Sequence, residues 1–181
     1  PFDNQGHVDT ESLRRLVEFN IEANVNGIGI AMGSEIFRLS EEERDLVTKV
    51  VVDQTNGRIP VVVNTGAHGT DLAIHYSQRA QTLGADALMI LPPAGGAGNS
   101  TEIRSYFTAI SNHVDIPIVV QDAGPGQVSP ALIRQINEES EQAKYCKVET
   151  PPTTSRIAET IKLTEGKIGV FGGAGGGFFL E

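Results

Sequence analysis

The sequence predicts a parallel α/β fold of the barrel type, and three observations predict it. Apolar, β-branched runs alternate with amphipathic helical stretches without a break. The runs begin at positions 27, 59, 86, 116, 143 and 167, so 24 to 32 residues separate each from the next. The glycine-rich and polar loops come after the runs, where a parallel sheet keeps its chemistry. Doubly wound sheets share this rhythm, but neither a dinucleotide fingerprint nor a sign of reversed strand order accompanies it. The (β/α)8 or TIM barrel is therefore the expected architecture. A complete barrel takes about 250 residues. The 181 residues here thus predict a single, incomplete barrel domain over 1–181 that lacks the first and last strands.

Taken in order, the elements follow from periodicity and caps. A helix over 10–24 follows Asp9, with Leu13, Leu16, Val17 and Ile21 on one stripe and Arg14, Arg15, Glu18 and Glu22 off it. Asn26-Gly27 ends it, and 27–31 reads as a short strand with glycine and alanine on one face. Ser40 with Glu43 forms a capping box for a second helix, which is expected to turn Leu46, Val47, Val50 and Val51 inward. A β-branched strand over 59–64 precedes a helix over 69–82 with Leu72, Tyr76, Ala80 and Leu83 as its expected inner face. Next come a strand over 86–91 and a helix over 100–114 carrying Ile103, Phe107, Ile110 and Val114. A strand over 116–121 leads to Ser129-Pro130, a cap followed by an N1 proline. The chain continues with a strand over 143–149, a helix over 153–164, a strand over 167–172 and the start of a helix over 174–181.

Composition narrows the classes of function. A 39% hydrophobic and 20% charged chain is that of an ordinary globule. The net charge of -9 and pI near 4.9 argue against nucleic acid or an anionic membrane surface as partner, since both select a basic face. The lone Cys146 excludes an internal disulfide framework and the cysteine-rich zinc patterns, which suits a reducing, cytoplasmic setting. No apolar run reaches the ~20 residues of a membrane span.

The segment Ala143-Lys144-Tyr145-Cys146-Lys147-Val148-Glu149-Thr150-Pro151 stands out, because it sets a lysine inside an apolar strand. Alternation puts Tyr145, Lys147 and Glu149 on one face and Cys146 and Val148 on the other. A desolvated lysine is a nucleophile toward carbonyl carbon; a lysine paired with Glu149 or snorkelling out of the strand end is the alternative. The loops after the other strands supply further candidates. Gly33 and Ser34 could offer backbone N–H groups and a hydroxyl to a carboxylate, or form an ordinary turn. Thr65, just past the strand over 59–64, is a candidate substrate contact. His68 is an acid/base candidate or a loop histidine. Gln121 can donate and accept hydrogen bonds but cannot act as a base. The cluster over 172–177 matches no phosphate loop and reads as a strand end where backbone approaches a ligand or a neighbour. No metal constellation is visible.

These residues resemble the pyruvate-dependent class I aldolases and dehydratases typified by dihydrodipicolinate synthase and N-acetylneuraminate lyase. The resemblance covers essentially the whole chain. It rests on Pro1-Phe2 with Gly6-x-Val8-Asp9, the loop ending at Glu35 with Leu39-Ser40-Glu41-Glu42-Glu43-Arg44 behind it, Gly57-Arg58-Ile59-Pro60-Val61, the segment over 80–86, and Lys147. It implies a barrel, a 2-oxo acid substrate, no cofactor, a homo-oligomer (dimer or tetramer) and a Schiff base on Lys147. The family's usual Thr-Thr-Gly-Glu loop is here Met32-Gly33-Ser34-Glu35, its catalytic tyrosine is replaced by Gln121, and Gln127 stands where the synthases have arginine after Pro-Gly. Ser34-Glu35-x-Phe37, Val120-Gln121-Asp122-Ala123 and Lys147-x-Glu149-Thr150-Pro151 look most like the L-2-keto-3-deoxyarabonate dehydratase branch. The expectation is a Schiff-base hydro-lyase with Lys147, Gln121 and Glu149 in catalysis and Gly33, Ser34 and Thr65 on the substrate. An aldolase or synthase of the same fold, and a non-catalytic 2-oxo acid binder, are the alternatives.

Overall fold

The computed structural model describes residues 1–93, 99–124 and 126–173. Two compact units interleave along the chain: Pro1–Asn64 with Arg79–Leu88, and Thr65–Gln78 with Met89–Glu181.

The first unit contains helix α1 (Thr10–Glu22), strand β1 (Ile28–Ile30), helix α2 (Glu41–Thr55) and strand β2 (Val61–Asn64). β1 and β2 are parallel, with Ile28 beside Val61 and Ile30 beside Val63. Asp9 caps α1 by accepting from the Ser12 amide, and the helix gives way to Asn24 in the left-handed region at φ 58°. The capping box of α2 forms in both directions, with Glu43 N donating to Ser40 Oγ at 3.2 Å and Ser40 N donating to Glu43 Oε2 at 2.8 Å. Leu13 and Val17 of α1 and Val50 and Val51 of α2 are buried, whereas Leu16 and Leu46 are exposed. On α2 the covered stripe runs through Thr48, Val51 and Thr55, which leaves Leu46 on the opposite side. Two 3-10 turns, Met32–Ser34 and Ile36–Arg38, link β1 to α2 and bury Ile36. Periodicity does not predict such short turns.

Helix α3 (Thr70–Thr82) and strand β3 (Ala87–Ile90) are each divided between the units. α3 buries Ala73, Ser77 and Ala80, while Leu72 is exposed. Ala80 is on the inner face as expected, but the rest of that face is carried by Ala73 and Ser77 in place of Leu72 and Tyr76.

The second unit continues with α4 (Ser100–Ser111), β4 (Ile118–Asp122), α5 (Pro130–Glu139), β5 (Ala143–Val148), α6 (Thr153–Leu163) and β6 (Gly169–Gly172). Hydrogen-bonded order follows chain order in each unit, β1-β2-β3 in the first and β3-β4-β5-β6 in the second. The β4–β5 and β5–β6 pairs are parallel. Asn99 caps α4 and Ser129 caps α5, with Pro130 in the first turn as the sequence predicts. β2 and β4 start later than their apolar runs because Pro60 and Pro117 have no N–H to enter a ladder. Phe107, Ile110, Ile118, Val120, Ile133 and Ile136 form the core of this unit, and β4 is buried along its whole length. The helix expected over 174–181 lies outside the described residues.

Candidate active site

The site is built on the C-terminal ends of β4 and β5. Their register sets Gln121 beside Lys147 and Asp122 beside Val148. Strand alternation sends Cys146 and Val148 into the fully buried layer and leaves Tyr145 and Lys147 on the more open face. Lys147 Nζ lies 2.8 Å from Glu149 Oε1, with side-chain exposures of 25% and 21%. The other carboxylate oxygen, Glu149 Oε2, accepts from Gln121 Nε2 at 2.8 Å, and Gln121 is buried. Lys147, Glu149 and Gln121 therefore form one bonded chain. The pairing expected of the strand lysine is present, and it leaves Glu149 where it could also take the ammonium proton.

Backbone positions hold Glu149 in place. Its amide donates to the Asp122 carbonyl at 2.8 Å, and the Gly173 amide donates to the Val148 carbonyl at 3.0 Å. The Glu149 side chain crosses Gly173 so closely that a Cβ there would lie 1.8 Å from Glu149 Cγ. The close approach expected of the glycine cluster is, at Gly173, an approach to this carboxylate. The rest of that cluster, from 174 on, lies outside the described residues.

Behind this chain lies a cluster that sequence reasoning missed. Asp122 is fully buried and accepts from the Val128 amide at 2.8 Å, from Thr150 Oγ1 at 2.7 Å, and from Arg156 Nε and Nη2 at 3.2 and 2.9 Å. The only sequence signal was an aspartate at the end of an apolar strand. Its arginine partner is 34 residues away on α6.

The other predicted residues fall as follows. Thr65 is buried in the second unit, with its hydroxyl 2.8 Å from Ser77 Oγ on α3 and its amide donating to Met89 O at 3.1 Å. Gly33 and Ser34 belong to the first unit, in the turn Met32–Ser34. There the Ser34 amide donates to Ala31 O at 3.0 Å, while Ser34 Oγ makes only long contacts of 3.4 Å to Ala31 N and Gly29 O. The amide thus closes the turn rather than facing outward to a ligand. His68 is exposed. A cavity of about 500 Å³ in the first unit is lined by Leu13, Val17, Ile28, Ile30, Gly33 and Ser34 among others, with no lysine, histidine or cysteine.

Two further groups are unsuited to proton or acyl transfer near neutral pH. Burial, and then the charge of Asp122, push the Cys146 thiol up to about 12. Burial pushes the Tyr106 hydroxyl up to about 12, and that hydroxyl is tied to the amide and carbonyl of Ala67 at 3.1 Å each. Among the described residues there is no group of three His, Cys, Asp or Glu side chains placed to hold a metal, and no helix is long and apolar enough to cross a membrane.

Parallel strands following one another in chain order, with a lysine–carboxylate pair at the strand ends, define an α/β-barrel fragment of the kind that carries chemistry on its C-terminal rim. The chain belongs to the dihydrodipicolinate synthetase family, whose model matches residues 1–177. It is 37% identical over 169 residues to L-2-keto-3-deoxyarabonate dehydratase of Azospirillum brasilense, covering 90% of this chain and 54% of that protein. It is 38% identical over 129 residues to 4-hydroxy-tetrahydrodipicolinate synthase of Methylococcus capsulatus, covering 70% of this chain and 44% of that protein. The chain thus spans about half the length of these relatives. Among solved structures it is similar to the dihydrodipicolinate synthase of Acinetobacter baumannii complexed with pyruvate, at a TM-score of 0.89 and 29% identity, covering 96% of this chain and 60% of that one.

Proposed function

We propose that this protein is a Schiff-base-forming lyase that dehydrates a 2-keto-3-deoxy sugar acid such as L-2-keto-3-deoxyarabonate, with Lys147 as nucleophile. The observation that carries the reading is the bonded chain Lys147–Glu149–Gln121, with an amide where an aldolase of this family has a phenol. Similarity to a dehydratase over 90% of the chain supports it. Glu149 takes the ammonium proton, the neutral amine adds to C2 of the substrate, and loss of water gives a protonated imine. The C3 proton is then acidic, because the carbanion delocalises into the iminium, and Glu149 or a water removes it. The resulting enamine expels the C4 hydroxyl as water. Loss of a C5 proton gives a dienamine that is reprotonated at C3; its C5 enol then ketonises with a proton to C4, and hydrolysis of the imine releases 2-oxoglutarate semialdehyde.

Cleavage of the C3–C4 bond would instead require a base to strip the C4 hydroxyl proton, and the Gln121 amide is not one. Thr65, in the same unit as Lys147 and with its hydroxyl shared with Ser77, is assigned to the substrate's polar groups. Product analysis with 2-keto-3-deoxyarabonate tests the reading. 2-Oxoglutarate semialdehyde is the expected product, and pyruvate with glycolaldehyde as the main products overturns it.

A further inference from the structure

We propose that Asp122, held by Thr150 and Arg156, is a positioning residue that sets the reach of Glu149 to Lys147. The inference rests on the reading of Lys147 as nucleophile. The bonds of the Asp122 carboxylate go to Val128, Thr150 and Arg156 rather than to Lys147 Nζ, so its effect must pass through its neighbours. Its carboxylate receives four donors, two on each oxygen: the Val128 amide and Thr150 hydroxyl on Oδ1, and Arg156 Nε and Nη2 on Oδ2. These donors saturate its acceptor capacity. Arg156 Nη2 also donates to Val128 O at 2.8 Å, which ties the same loop twice. The Asp122 carbonyl, meanwhile, accepts from the Glu149 amide.

The geometry that follows is specific. Gln121 precedes Asp122 in the chain, and Glu149 precedes Thr150. The Asp122–Thr150 bond of 2.7 Å and the Glu149–Asp122 backbone bond of 2.8 Å therefore lock together the two residues whose side chains meet at 2.8 Å in front. Buried ion pairs are poor stabilisers compared with apolar packing of the same volume, so stability alone is a weak reason for four buried donors on one carboxylate. Holding the first turn of α6, the loop before α5 and the end of β5 to one point is a positional task, and catalytic contacts tolerate only small displacements.

The test uses borohydride trapping of pyruvate on Lys147, followed by mass spectrometry across a range of pyruvate concentrations. Thr150→Val removes one donor at nearly constant volume, and Thr150→Ser returns it; Asp122→Asn keeps the shape and removes the charge facing Arg156. The expected result is a fall on the order of 10- to 100-fold in the maximal trapping rate for Thr150→Val and Asp122→Asn. The half-saturating pyruvate concentration should change much less, and Thr150→Ser should recover most of the rate. Equal rates in Thr150→Val and Thr150→Ser, or a lowered melting temperature with the parent's trapping rate, overturn the proposal. The Thr150 pair decides the matter if Asp122→Asn does not fold. Failure of the unsubstituted protein to form an adduct on Lys147 overturns the nucleophile reading instead, so the two failures are distinct.

Discussion

Glu149 pairs with the Lys147 ammonium, and in the proposed mechanism it is also the destination for the proton that must leave before the amine can attack. The 2.8 Å bond from Gln121 occupies the other carboxylate oxygen, so the oxygen facing Nζ is fixed by its partner rather than free to rotate. Lys147→Arg separates charge pairing from chemistry. A guanidinium retains the interaction with Glu149 but forms no imine, so pyruvate trapping should vanish while the melting temperature stays within a few degrees of the parent. A trapped adduct in that variant, on Lys144 or Lys49, would refute the assignment. Gln121→Tyr tests the division between the two bond cleavages. A phenol beside the pocket can act as the missing acid/base, so the ratio of glycolaldehyde to semialdehyde should rise on the order of 10-fold or more. An unchanged ratio would show that position 121 does not decide which bond breaks.

At the scale of elements, the site depends on three strand ends meeting, and Gly173 just past β6 shows how tightly. Any side chain at 173 must displace Glu149, because a Cβ would sit 1.8 Å from its Cγ. Gly173→Ala is therefore expected to lower the trapping rate on the order of 10-fold while costing no more than about 1 kcal/mol of stability, since the displaced side chain is partly exposed. A parent-like rate would mean that Glu149 is dispensable. The elements themselves were largely legible, because alternation, the Ser40–Glu43 box and Ser129-Pro130 are local signals that the folded chain retains. Helix faces were less so. Leu46 and Leu72 look like core residues by hydrophobicity, yet the faces that pack are those carrying Thr48 and Val51, and Ala73 and Ser77. The Lys147–Glu149 pair was legible because the two are close in sequence, Lys147 on β5 and Glu149 just past its end. The Asp122–Arg156 bond was not, because it joins residues 34 apart that only the fold brings together.

For the molecule as a whole, the buried titratable groups set an alkaline limit to stability. Cys146 and Tyr106 both lie in the second unit, and burial raises each to about 12, from ordinary values of 9.0 and 10.0. Between the ordinary and the raised value the folded chain keeps a proton that the unfolded chain gives up. The unfolded state thus binds fewer protons, and stability must fall as pH rises. The contribution is fully present below about pH 9 for the thiol and is gone once pH passes about 12. At about pH 10.5 burial of the Cys146 thiol alone amounts to a loss of about 2 kcal/mol relative to neutral pH. The parent curve sums every group whose proton count changes over this interval, so by itself it does not isolate the thiol. Cys146→Ala does. Urea unfolding of the parent and of this variant at about pH 7.5 and about pH 10.5 should show the variant losing about 2 kcal/mol less across the interval, even though the void left by the thiol makes it the weaker protein at neutral pH. The same burial predicts that a thiol reagent modifies Cys146 only at the rate of unfolding. Parallel losses in the two proteins, together with rapid modification of the native chain, would mean that the β5 layer carrying Cys146 and Val148 is open to water, and that Lys147 is not anchored from behind.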